Sequence, residues 1–203
     1  MVGVVLSGKD LATAHRRFQG FLGPESSTDG DHCFSLYRAN GLSLPFADSC
    51  FDKVICSEVL EHISDYKAML AEIDRVLKPD GVLAISVPRA WPERICWKLS
   101  DAYHLVRGGH IRIFNANALN QDISAFGLRR YSLHWAHALH APFWWLKCLF
   151  WEKQDNHFLI VAYHRMLVWD LMKKPLLTRS LEKLLNPIMG KSVVMYFKRD
   201  ASK

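Results

Sequence analysis

No Cys-x-x-Cys pair occurs in this chain. Nor does any Gly-x-Gly-x-x-Gly or Gly-x-Gly-x-Gly run, or an unbroken apolar stretch near the ~20 residues a membrane-crossing helix needs. The first absence excludes dithiol redox motifs and ribbon-type zinc sites. Cysteines stand at 33, 50, 56, 96 and 148. Their odd number offers no disulfide framework, so a reducing, cytoplasmic setting is expected. The longest apolar stretch, FLIVAYHRMLVW (158–169), is interrupted by His164 and Arg165. The start, MVGVVLS, is too short for a secretory leader and has no charged flank. Blocks of like charge are missing as well. The 26 basic and 20 acidic residues are dispersed and leave a net charge of +6, so no nucleic-acid partner is expected.

What is present suits one domain with a lid. Half of the 203 residues are hydrophobic, enough for a sizeable core. Residues 2–6 read as a buried parallel strand, with Ser7 placed to cap a helix carrying Leu11, Ala14, Phe18 and Leu22. Gly20, Gly23 and Pro24 end that helix, and 25–32 is a polar loop. Strands are expected at 33–37, 51–57 and 82–88. Ser64 can cap a helix striped by Met69, Leu70, Ile73, Val76 and Leu77, which KPDG (78–81) stops. Strands alternating with helices predict an α/β fold with a parallel sheet covered on both faces. Further on, a helix is expected from Pro92 through Val106, and another capped by Asn115 and ended by Gly127. RRYSLHWAHAL (129–139) and SVVMYFKR (192–199) read as strands. Between them, 141–187 holds Trp144, Trp145, Trp151 and Trp169 and reads as a helical insertion.

The stretch ANGLSLPFADSCFDKVICSEVLEHI (39–63), followed by AMLAEIDRVLKPDGVLAISVP (68–88), carries a resemblance. Its motif order and spacing resemble the class I S-adenosylmethionine-dependent methyltransferases, in the broad group with an LPF turn, an FD-x-V strand, a LEH turn and an RVLKPGG helix end. The resemblance covers residues 2–88 well and 115–128 loosely. It implies a Rossmann-like sheet, mostly parallel with an antiparallel last strand, and S-adenosylmethionine as cofactor. Asn40 stands where the family has a carboxylate that accepts from the adenine amine, with Gly41 and Leu42 beside it. An amide oxygen can still accept, without charge. Leu44, Pro45 and Phe46 would form a shelf beside the adenine, or simply a buried turn. Ser57 and Glu58 would pass under the cofactor. Glu58 and His62 sit four apart and are the candidates for a general base, although LEH also serves as a packing turn. Methyl transfer can proceed on alignment alone, so no base need exist.

The resemblance also exposes what is missing. The family's first strand ends in a glycine-rich loop, and no such loop occurs here. The family's second strand ends in an acidic residue that holds the ribose hydroxyls. This chain reads GVVLS, with Val5 in that place. Residues 2–6 therefore match the second strand, and the first strand and helix are expected to be missing. The strands at 2–6 and 51–57 would then either close up or leave their inner edges unpaired. Weak or absent cofactor binding is the expectation. The organisation expected is a truncated core at 1–140, an aromatic helical lid at 141–190, and a final strand and tail at 191–203. His110, Trp144 and Trp145 are the lid residues placed to line an acceptor pocket. The acceptor would be small or lipid-like, and the aromatic, basic lid would either cap the sheet or make peripheral membrane contact. The alternative is a non-catalytic remnant or partner-binding scaffold. His134, His137 and His140 step by three, which brings no trio together on a strand or a helix, so no metal site is expected.

Overall fold

A computed structural model describes residues 2–5, 11–16, 35–106 and 108–199. Its strands are β1 (Val2–Val5), β2 (Ser35–Arg38), β3 (Phe51–Ser57), β4 (Leu77–Pro88), β5 (Leu128–Ala136) and β6 (Ser192–Arg199). The helices are α1 (11–16), α2 (Tyr66–Val76), α3 (Ala90–Leu99), α4 (Asp101–Leu105), α5 (Ala116–Ser124), α6 (His140–Leu149), α7 (Phe158–Lys173) and α8 (Leu176–Met189). The expected Ser7 cap, Phe18, Leu22, the Gly20–Gly23–Pro24 stop and the loop at 25–32 lie outside the described residues.

The strands form two sheets. β1 and β2 pair in parallel, and the second sheet has the order β3-β4-β6-β5. In it β3 and β4 are parallel, while β6 runs against both β4 and β5. The expected α/β character and antiparallel last strand are therefore present. β1 and β3 do not pair with each other. Of the two outcomes open for these strands, the structure shows separation rather than closure.

β3 and β6 keep their expected bounds, because each is a short β-branched and aromatic run between turn formers. Three local expectations change. Asp65, not Ser64, caps α2: its carboxylate accepts from the Ala68 amide at 3.0 Å, and a charged acceptor suits a helix N-terminus better than a hydroxyl. Leu77, expected on the helical stripe, instead begins β4, which runs through the Lys78–Gly81 stop. The single helix expected from Pro92 is two, α3 and α4, broken where Ser100 turns extended, at φ −154° and ψ 114°. Asn115 does cap α5, accepting from Asn117 and Ala118, and Gly127 follows at φ +76°, a conformation that costs glycine little.

The core lies between the larger sheet, α2 and α5. Leu70 and Ile73 from α2, Leu119 and Ile123 from α5, and Leu83, Ile85, Met195 and Phe197 from the sheet are all buried there. The insertion behaves differently. α6 packs on α3 and α7, with the Trp145 indole donating to the Pro92 carbonyl at 3.1 Å. Beyond it, α7 buries only Ile160 and Leu167, and α8 buries no residue fully. Leu176, Leu177, Phe158 and Met172 are each 70% or more exposed. The insertion does lean on the sheet, α8 packing against β5, yet much of the apolar face of α7 and α8 stays open to solvent. No helix among the described residues is long and apolar enough to cross a membrane.

Candidate functional site

The gap between β1 and β3 is a cleft of about 330 Å³. Val2 to Val4 form one wall and Phe51 with Lys53 to Cys56 the other. Ala39, Asn40 and Gly41, at the end of β2, close it on one side, with Met69, Ile73 and Val76 of α2 also in the lining. Of the residues expected at the cofactor, Asn40 and Gly41 are thus brought to this cleft. Val5, Leu42, Ser57 and Glu58 are not in its lining. Val5 is engaged instead through its carbonyl, which accepts from Ala39 at 3.0 Å. The Asn40 side-chain oxygen already accepts from the Leu42 amide at 3.1 Å, a local turn that competes with an outside donor.

The LPF turn is held by two residues that the sequence reading did not single out. Glu72 accepts from the Leu44 amide at 2.8 Å and pairs with Arg75, one turn along α2. Arg75 reaches on to the Leu44 and Phe46 carbonyls and to Asp48. The Arg75 hydrogen bonds, and then that of the Leu44 amide, hold the Glu72 carboxyl down at about 2. Leu44 and Phe46 line the cleft, so this clamp shapes its wall.

The turn after β3 is also fixed from within. Glu58 has a positive φ of 51°, uncommon for a residue with a side chain. It is kept there by its amide, which donates to the Ser86 carbonyl at 3.0 Å, and by its carboxylate, which accepts from the Ser86 hydroxyl at 2.8 Å. The Ser57 and Ser86 hydroxyls share a further 2.8 Å bond. Such backbone strain gathers at ligand sites, and here the neighbouring strand supplies what holds it.

A second polar group lies just beyond, where the turn at Leu60–His62 meets 108–111. Glu61 is fully buried, and neither carboxylate oxygen has a hydrogen-bond partner. Burial pushes it up to about 7. Its Oε1 lies 3.9 Å from Nε2 of His62 and 4.0 Å from Nε2 of His110. His110 Nδ1 sits 2.6 Å from Oε1 of Glu93, which is itself buried and also receives the Trp97 indole and the Tyr103 hydroxyl. Burial alone would raise Glu93. The His110 hydrogen bond and charge, with Lys191 nearby, outweigh that and hold it below the usual carboxylate range. Of the lid residues, His110 belongs to this buried group rather than to an open turn. Trp144 joins it through Tyr103, whose ring is 5.5 Å from His110 and 5.8 Å from Trp144. Trp145 is turned to Pro92. Glu61 was visible only as the middle of LEH. Glu93 and Lys191 had no signal in the sequence, since only tertiary folding brings them together.

Residues 2–85 match the methyltransferase domain family. A demethylmenaquinone methyltransferase of Listeria monocytogenes is 38% identical over 78 residues, which are 38% of this chain and 32% of that protein. Matches to curated relatives span between 21% and 35% of their length. Among solved structures, an S-adenosylmethionine-dependent methyltransferase of Thermotoga maritima superposes with a TM-score of 0.60 at 14% identity, over 98% of this chain and 72% of that one. A 4+2 cyclase superposes with a TM-score of 0.57 at 17% identity, over 98% and 65%. At these identities the structural likeness speaks for the fold alone.

Proposed function

We propose, from the match of residues 2–85 to the methyltransferase domain family, that the cleft between β1 and β3 receives the adenosyl part of S-adenosylmethionine, and that the chain directs methyl transfer to an apolar acceptor. The observation that carries this reading is the cleft itself, apolar on both walls and closed by Asn40 and Gly41. Gly41 leaves the lining thin: a Cβ there would stand 3.0 Å from the Met69 methyl. Asn40 offers the adenine amine an acceptor once its turn with Leu42 yields. The apolar acceptor is supported by the exposed leucines and aromatics of α7 and α8 and by the Trp144–Tyr103 contact beside His110.

The binding is weak. Val5 supplies no carboxylate for the ribose, no glycine loop meets the methionine part, and Asn40 is uncharged and already engaged. Titrating S-adenosylmethionine into isotopically labelled protein tests both halves. The expected result is progressive shifts of the Asn40 and Gly41 amides, with a Kd well above the micromolar range. Amide shifts elsewhere only, or none at millimolar cofactor, refute the cleft. A micromolar Kd refutes the weakness.

A second reading is a scaffold without catalysis. It is favoured by the apolar faces that α7 and α8 leave uncovered. Cofactor shifts at the cleft together with methylation of any apolar acceptor would exclude it.

A further inference from the structure

We propose that Glu61, His62 and His110 form a binding site for one divalent first-row transition-metal ion. The argument starts from Glu61. Its side chain is fully buried and its two oxygens have no hydrogen-bond donor. A carboxylate taken out of water with nothing to replace its hydration is costly, and native structures rarely leave one so. What faces it is not a donor at bonding distance but two imidazole nitrogens, at 3.9 and 4.0 Å. All three atoms lie within 4.8 Å of one another.

That spacing is too long for hydrogen bonds and fits an ion between. Metal–nitrogen and metal–carboxylate bonds run ~2.0–2.2 Å, so one ion spans at most about 4.2 Å between two ligand atoms and about 3.4 Å in tetrahedral geometry. Both Glu61 distances must shorten by about half an ångström to close the set, and the two rings, whose ligand atoms lie within 4.8 Å of each other, must also draw together. His62 is a third exposed, so its ring has room to make that movement.

The outer partners point the same way. His62 Nδ1 lies 3.1 Å from the Gly109 carbonyl, which can only accept. His110 Nδ1 lies 2.6 Å from the Glu93 carboxylate. In the neutral form of each ring these partners favour the tautomer with its proton on Nδ1, which leaves the Nε2 lone pair on the Glu61 side. Metal-ligating histidines almost always show this arrangement, the far nitrogen donating to a carbonyl or carboxylate. The Ile111 amide donates to the Glu61 carbonyl at 3.0 Å and ties the two ligand-bearing segments together. Two imidazoles and one carboxylate favour zinc, iron, cobalt or nickel over magnesium and calcium, which take oxygen ligands. Three protein ligands leave at least one coordination position free for water or another ligand.

A second trio, His137, His140 and Glu182, also has its ligand atoms close together. There the buried atom without a partner is a ring nitrogen, His140 Nδ1, and not a carboxylate, so the trio lacks the buried unpaired anion that carries the first site and serves as the control.

The test uses the full chain freed of metal by chelation and needs no cofactor, so its failure is distinct from failure of the methyl-transfer reading. Calorimetric titration with zinc chloride is expected to show one ion per chain at micromolar affinity or tighter. Cobalt chloride is expected to give visible d–d absorption of a nitrogen- and oxygen-ligated ion. His62→Gln and Glu61→Gln each lower zinc affinity at least tenfold and abolish the cobalt bands, while Glu182→Gln changes neither. Should Glu61→Gln fail to fold, His62→Gln, at a partly exposed position, decides the matter. Wild-type protein that binds no zinc stoichiometrically, with Glu61 simply neutral in its burial, overturns the proposal. So does binding that Glu182→Gln removes and His62→Gln leaves intact.

Discussion

At the scale of single residues, Glu72 and Arg75 show how a motif that looks like packing also builds a wall. The pair reads in sequence as an ordinary i, i+3 contact on α2. In the fold it hydrogen-bonds to both ends of the LPF turn, at Leu44 and Phe46. Glu72 is depressed to about 2, so the charged form is favoured in the folded state. A depressed carboxylate contributes stability that is complete above its ordinary value near 4.5 and is lost as pH falls toward 2. Glu72→Gln should therefore lower the melting temperature by a roughly constant amount between pH 6 and 8. About 2–4 °C is expected if the partly exposed pair contributes about 1 kcal/mol. Below pH 4.5 the gap between wild type and variant should narrow steadily. Melting curves whose separation stays the same down to pH 3 would show that the charge of Glu72 does not support the turn.

At the scale of elements, most of the fold was legible and its joints were not. The bounds of β3 and β6 and the Asn115 cap followed from composition and turn chemistry, because those signals are local. The Asp65 cap, the break at Ser100 and the early start of β4 depend on which of two adjacent residues wins a hydrogen bond, and periodicity does not rank them. The separation of β1 and β3 was one of two outcomes the sequence left open, since Val2–Val5 matched a strand that should have a neighbour. Its consequence can be measured. Among the described residues β3 pairs with β4 alone, and the Glu58 amide donates toward β4, to Ser86. Amides alternate sides along a strand. Those of Val54 and Cys56 then also face β4, and those of Ile55 and Ser57 face the opposite edge, which borders the cleft at Ile55. Hydrogen exchange should be at least a hundredfold faster at Ile55 and Ser57 than at Val54 and Cys56. Equal protection at all four would mean that the free edge of β3 is covered, and the cleft would then not exist in solution.

For the whole molecule, the question is what the outer helices meet. The sequence marked the lid at 141–190 as aromatic and basic and left open whether it caps the sheet or meets a membrane. A helical stripe of leucines says that one face avoids water, not what covers it. Here α8 presents Leu177, Leu181, Leu184 and Ile188 to solvent, and α7 adds Leu171 and Met172. Arg165, Lys173, Lys174, Arg179 and Lys183 lie among them, against Asp170 and Glu182, and all five of these cations are exposed. Exposed apolar area of this extent is uncommon on a chain that stays free in water. Helices with such a face and a basic border lie in the interfacial layer of a membrane, each cation near an anionic surface adding about 1 kcal/mol. The protein should therefore float with vesicles containing anionic lipid and much less with neutral ones. Raising the ionic strength should weaken the association without abolishing it, because the apolar part is not screened. Leu177→Asp combined with Leu184→Asp should cut vesicle binding at least tenfold and leave the melting temperature nearly unchanged, since neither side chain is buried. If the wild type fails to float on either lipid, these faces serve a protein partner, and the proposed apolar acceptor would have to reach the cleft from water instead.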